Sequence, residues 1–169
     1  MSEEFRFRDA ALAGMVGALA VTAVHQVARR VTLDAPRMDV LGERALTRGA
    51  HMADLPVPSR ATLHRAALAG DIVCNSAYYS LATSWTRGLA LGLAAGVGAL
   101  VLPQRMGLGD APRSERLSNQ LMTVAWYVVG GLAAAATSRR LAASREEQAR
   151  TAGHWESLGE LGYLRVDMA

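Results

Sequence analysis

Between Asp9 and Arg29 lie nineteen residues, Ala10–Ala28, that carry no formal charge while His25 is neutral. As a helix this run rises roughly 28 Å, close to the hydrocarbon core of a bilayer at about 30 Å. An uncharged run of this length fits a bilayer and fixes the solvent for the rest of the chain. Ala10, Gly14, Ala18 and Thr22 recur every fourth position and form a small-residue stripe suited to close helix contact. The preceding MSEEFRFRD has three acids against two arginines. It lacks the net-positive start of a secretory signal, so the run is expected to be a retained helix.

Composition points the same way. The chain is 51% apolar, yet only nine residues are aromatic and Ile72 is the single isoleucine. A water-soluble core of alanine and glycine buries little area per contact, and area is what stabilises it, at about 25 cal/mol per Å². In a bilayer the same residues favour association, because helices there gain from close backbone approach. All eighteen basic residues are arginine, gathered at the ends of apolar runs, and the net charge is only +3. No basic stripe interleaved with aromatics is present, which argues against nucleic acid as a partner. Cys74 is the sole cysteine, so intrachain disulfides and thiolate metal clusters are excluded.

These features predict an all-α integral membrane bundle of four transmembrane helices, with three as the alternative, plus a short amphipathic surface helix. The spans fall at about 10–28, 63–84, 88–102 and 117–138 in a single membrane domain. The polar connection 29–62 contains Met38, Leu41, Ala45, Met52 and Leu55 at near-helical spacing, the pattern of a helix lying on the membrane surface. Gly49 and then Pro56-Val-Pro58 end it. The tail 139–169 begins as a continued helix, and Trp155, Leu158, Leu161 and Leu164 suit a membrane surface or a partner.

Span two carries the difficulty. From Leu63 to Ser84 there are five strongly apolar aliphatics, Leu63, Leu68, Ile72, Val73 and Leu81. On an insertion scale they gain roughly 0.3–0.6 kcal/mol each, whereas one aspartate at a helix centre costs about 2.5–3.5 kcal/mol. The sum cancels before Asn75 is counted. Insertion therefore requires Asp71 to be paired or protonated, or a hairpin with span three. Positive-inside bookkeeping tests the alternative. Four spans divide the arginines ten to seven, three spans twelve to five, and both arrangements put the N-terminus outside. The aliphatic and tyrosine content of 63–84 tips the expectation to four.

Span three holds Gly88, Gly92 and Gly96, a GxxxGxxxG glycine zipper. It is short, about 22 Å by helical rise, and is expected to end at Pro103. On span two, Asp71, Asn75 and Tyr78 follow at i, i+4 and i+7 and share one face, while Ser76 and Tyr79 look to another. Intramembrane ionisable groups usually face a bundle interior and mark pathways or partners. The readings open for Asp71 are a hydrogen-bonded packing residue, a proton or ion pathway, and a contact with a partner subunit or cofactor. His25 and His64 stand near the loop ends of spans one and two, where neutral imidazoles could ligate a haem or pigment metal. His51 and His154 make no ligand spacing, and no metal site is expected from sequence. None of the fingerprints GxSxG, HExxH, P-loop or CxxC appears, so catalysis is not expected.

The stretches PRMDVLG (36–42), AGDIVCNSAYYSL (69–81) and GLAAGVGALVLP (92–103) resemble those of small multi-pass bacterial membrane proteins of undefined function. The resemblance covers most of residues 10–138. It implies a bacterial inner-membrane protein and supplies no catalytic residues. The expected function is a non-catalytic accessory or scaffold subunit, with the bilayer and other membrane subunits or itself as partners and any cofactor unknown. The alternatives are a small transporter or proton-conducting oligomer using Asp71, and a haem- or pigment-binding protein using His25 or His64.

Overall fold

The computed structural model describes residues 3–32 and 34–166, with side chains for 6–32 and 34–153. Their regular structure is helical throughout: α1 (Glu3–Val31), α2 (Asp39–Met52), α3 (Arg60–Tyr79), α4 (Trp85–Arg105) and α5 (Leu117–Val166). The chain divides into two compact units, Met1–Ser138 and Arg139–Ala169. The first contains the bundle and its cavity. In the second, Ser144 and Thr151 hydroxyls donate to the Arg140 and Glu147 carbonyls of their own helix. The side chains of His154, Trp155, Leu158, Leu161 and Leu164 lie outside the described residues.

Among the described residues, three helices are long and apolar enough to cross a membrane: Arg6–Val31, Trp85–Arg105 and Leu117–Gly153. The protein is thus a multi-pass helical membrane protein by architecture, and the expected four spans are corrected to three. The segment that fails is α3. Arg60, Arg65, Asp71 and Asn75 within its 20 residues dilute few aliphatics, so its apolar side chains are matched by polar ones of equal cost. It packs along α1 instead of presenting an apolar surface all round.

α4 is longer than the 88–102 read from sequence. Ser84 caps it, its Oγ accepting from the Arg87 amide at 3.2 Å. Pro103 falls in the last turn, and the helix runs on to Arg105. Its 21 residues rise about 32 Å, enough to span. Leu89, Leu93, Val97 and Val101 form an exposed stripe every fourth residue, the face a helix offers to lipid. A second row, about 100° round the helix, is Gly88, Gly92 and Gly96, all buried against α5. A Cβ built on Gly92 would stand 2.5 Å from the Val128 Cα, and one on Gly96 would stand 2.6 Å from the Val124 Cα. Gly88 meets the Gly131 carbonyl. Since 88, 92 and 96 meet 131, 128 and 124, the two helices are antiparallel.

The small stripe of α1 works alike. Gly14 lies on the Ser76 carbonyl of α3, and Gly17 on the Gly130 carbonyl and Ala134 of α5. Val21, Tyr79, Ala82, Tyr127, Ala134 and Ala135 form the common core. At the loop end, α2 (Asp39–Met52) lies on α3, with Gly42 against Ala67. Arg44 donates to the Leu108 and Asp110 carbonyls at 2.9 and 2.8 Å. Asn119, buried, donates to the Asp34 and Arg113 carbonyls. These bonds join the two loops at this end into one cap.

Candidate functional site

α3 and α4 touch little along their length. They are tied near their connecting turn, where the Tyr78 hydroxyl donates to the Leu91 carbonyl at 3.0 Å. Beyond that tie the α4 side chains facing α3 are small, and the gap is a cavity of ≈ 550 Å³. Ala94, Ala95, Gly98, Ala99 and Leu102 line it from α4. Ala67, Leu68, Asp71, Cys74, Asn75 and Tyr78 line it from α3. Thr22, His25 and Tyr127 close it behind, and Arg29, Asp39 and His64 stand at the α2 end. A volume of this order suits a ligand of drug-like size.

The structure therefore brings Asp71, Asn75, Tyr78, His25 and His64 to a single cavity. Ser76 and Tyr79 point elsewhere, as helical spacing requires. Ser76 meets Gly14 of α1, and the Tyr79 hydroxyl donates to the Tyr127 carbonyl at 2.7 Å. Gly88, Gly92 and Gly96 do not line the cavity; they lie on α5, beside the Ala95 and Ala99 that do.

Asp71 is the cavity's exceptional group. Asn75 Nδ2 donates to its Oδ1 at 2.9 Å. Among the described residues no arginine or histidine forms an ion pair with it. A carboxylate in an apolar wall with one amide for company favours whatever brings it positive charge. Near it the Nε2 of His25 and the Oγ1 of Thr22 are buried without a hydrogen-bond partner among the described residues. The imidazole of His25 is held edge-on by Trp126 (centroids 4.5 Å, 71°) and by Tyr127 (5.9 Å, 82°).

The α2 end is the opposite case, with charges matched. Arg37 grips both oxygens of Asp39, at 2.9 and 2.8 Å, and Arg29 reaches Oδ2 at 3.2 Å. Burial works against the charged form of Asp39. The Arg37 hydrogen bonds and the charges of Arg29 and Arg37 nonetheless hold its carboxyl below the usual carboxylate range. The same hydrogen bond raises Arg37. His64 Nδ1 contacts Glu43 Oε1 at 2.9 Å, clipping α3 to α2.

Asp39, Glu43 and His64 each offer a ligand atom, and these atoms lie within 4.8 Å of one another. The spacing could close on a divalent cation. Two arginines already neutralise Asp39, however, and their field opposes a dication. The group works as an ion-pair lock on α2. Sequence reading passed over it although Asp39 and Glu43 stand at i,i+4 and Arg29 ends the first apolar run.

Compared with protein-family models, curated proteins and solved structures, the chain matches none.

Proposed function

We propose that this protein is a small membrane transporter that moves protons by way of the α3–α4 cavity, with Asp71 as the relay. The observation that carries the reading is the convergence on one cavity of a carboxylate without an ion-pair partner among the described residues, its Asn75 donor and the His25 imidazole. An acid in this setting has two states of comparable cost. Protonated, it sits in an apolar wall as a neutral group; ionised, it needs a cation to replace lost hydration. Uptake and release of positive charge is thus the event the site favours. Placement in a bacterial inner membrane belongs to the same proposal.

A scaffold role has less support. It would draw on the glycine ridge, on the shortness of span three and on a polar face too sparse for a catalytic centre. The ridge is instead filled by α5 of the same chain, α4 has 21 residues, and the polar residues share a cavity.

Proteoliposomes loaded with a pH dye test the reading. Under a potassium diffusion potential, wild type should acidify faster than Asp71→Asn. Equal rates would remove the proposal.

A further inference from the structure

The walls of the cavity and its one unpaired charge describe what can fill it. On the α4 side Ala95, Gly98, Ala99 and Leu102 offer an apolar surface. On the α3 side stands Asp71, with Oδ1 on Asn75 and no cation beside it among the described residues. Behind, the His25 ring is packed edge-on against Trp126 and Tyr127, its Nε2 buried and without a hydrogen-bond partner among the described residues. Arg29 lines the cavity too, but its guanidinium is on Asp39 at 3.2 Å.

An anion entering here would face Asp71 with no free donor cation to receive it. A neutral apolar molecule would cover the carboxylate and leave it uncompensated. A bare metal ion would exchange a full hydration shell for a single carboxylate and few oxygens. An ammonium on an apolar body meets each condition. Its N–H groups go to the Asp71 carboxylate, and the carbon skeleton lies on the alanine–glycine wall.

We infer that the α3–α4 cavity binds amphiphilic organic ammonium ions, with Asp71 as their counter-charge. The inference rests on the reading of Asp71 as the group that exchanges positive charge, and it names the cation that competes with the proton.

Three probes with one body and different ends test it: 4-phenylbutylammonium, 4-phenylbutanol and 4-phenylbutyrate, titrated against the purified full chain in mild detergent. The ammonium should bind about tenfold or more tightly than the alcohol, since a charge-assisted hydrogen bond is worth at least that. The carboxylate should bind weakest, and Asp71→Asn should abolish the ranking. Cys74 supplies a reading without any substitution, because it is the only cysteine, is exposed and lines the cavity. Its maleimide labelling in wild type should slow with the ammonium and not with the alcohol at equal concentration.

Equal protection by all three probes overturns the inference, as does a preference for the ammonium that survives in Asp71→Asn. If that variant does not fold, protection of Cys74 in wild type decides. Loss of head-group selectivity with Asp71-dependent proton uptake intact removes the cation and leaves the relay. The converse result removes the relay and leaves the binding site.

Discussion

Replacing Gly92 by alanine tests the packing that holds the cavity open. The added Cβ would stand 2.5 Å from the Val128 Cα, 2.9 Å from the Tyr127 carbonyl oxygen and 3.0 Å from the Val128 amide nitrogen. All three atoms are backbone of a helix, so no side chain can rotate away, and α4 must withdraw from α5 by about 1 Å. A gap of that size forfeits a quarter to a half of each contact's attraction along the seam. Overpacking of this kind costs about 1–3 kcal/mol, and the tightness of the approach places Gly92→Ala towards the upper end. Against it stands the gain of alanine over glycine in a helix, about 1 kcal/mol. The net is a loss of about 1–2 kcal/mol, or roughly 2–8 °C in melting temperature for a chain of this size. Gly70→Ala on α3 is the control, because a Cβ there has nothing within 4 Å; it keeps the propensity gain alone and should melt about 2–4 °C higher. Thermal unfolding in mild detergent, followed by tryptophan fluorescence, reads both. If Gly92→Ala melts at or above wild type while Gly70→Ala behaves as stated, the α4–α5 approach is not as close as described.

Tyr79→Phe removes the 2.7 Å bond to the Tyr127 carbonyl. That carbonyl keeps its helical partner, so a loss of only about 0.5–1.5 kcal/mol is expected in the same melt. The ion-pair lock on α2 predicts a pH dependence. The folded carboxyl of Asp39 is depressed, so its contribution is complete above its unfolded value of about 3.9 and is lost as pH falls through the folded one. Asp39→Asn should therefore melt below wild type by an amount worth about 1–2 kcal/mol that is constant from pH 5 to 8, with the difference shrinking as acid protonates the folded carboxyl. A difference that changes between pH 6 and 8 would show that some other group sets it.

Much of this was readable from spacing. Asp71, Asn75 and Tyr78 occupy one face because i, i+4 and i+7 do so on any helix, and the structure puts that face on the cavity. The four-residue recurrence of Gly88, Gly92 and Gly96 marks a close contact, but a ridge without side chains carries no identity for its partner. Nothing at 88–96 distinguishes α5 from α3 or from another chain. The error over four spans has a similar cause. The insertion sum for 63–84 came to nothing, yet its Tyr79 and Ile72 suggested lipid. Tyr79 is wholly buried against α5, so an apolar residue there answers to a neighbouring helix and not to the bilayer. The turn before α4 falls at 80–84, ahead of the break after 84 that the span bounds place there, because its local signal is one residue, Ser84, whose hydroxyl caps the helix. The cavity itself is a distance between two helices, and no local pattern encodes that.

What separates α3 from α4 is the same glycine face that sequence reading offered to an outside partner. An Ala/Gly-rich helix can approach closely on any side, so α4 in isolation could as well collapse onto α3. Gly88, Gly92 and Gly96 bias it to α5, whose backbone fits against them, and the 80–84 turn with the Tyr78–Leu91 bond fixes α3 at one end only. Small residues then face Asp71 across a space they cannot fill, where larger ones would have sealed it. Asp71 needs a companion, and the bundle withholds one: Arg29, which lines the cavity, and Arg37, which shares its partner, are both spent on Asp39. An acidic group that evolution or chance had meant only for packing would be expected to take one of those guanidiniums. Freeing Arg29 should therefore quench the site. In Asp39→Asn, Arg29 loses its partner and can turn to Asp71 across the cavity, so proton uptake and ammonium binding should both fall although neither Asp71 nor its neighbours have changed. Undiminished uptake and binding in a folded Asp39→Asn would mean that the rim charges do not govern the cavity, and that the isolation of Asp71 is not what makes it a site.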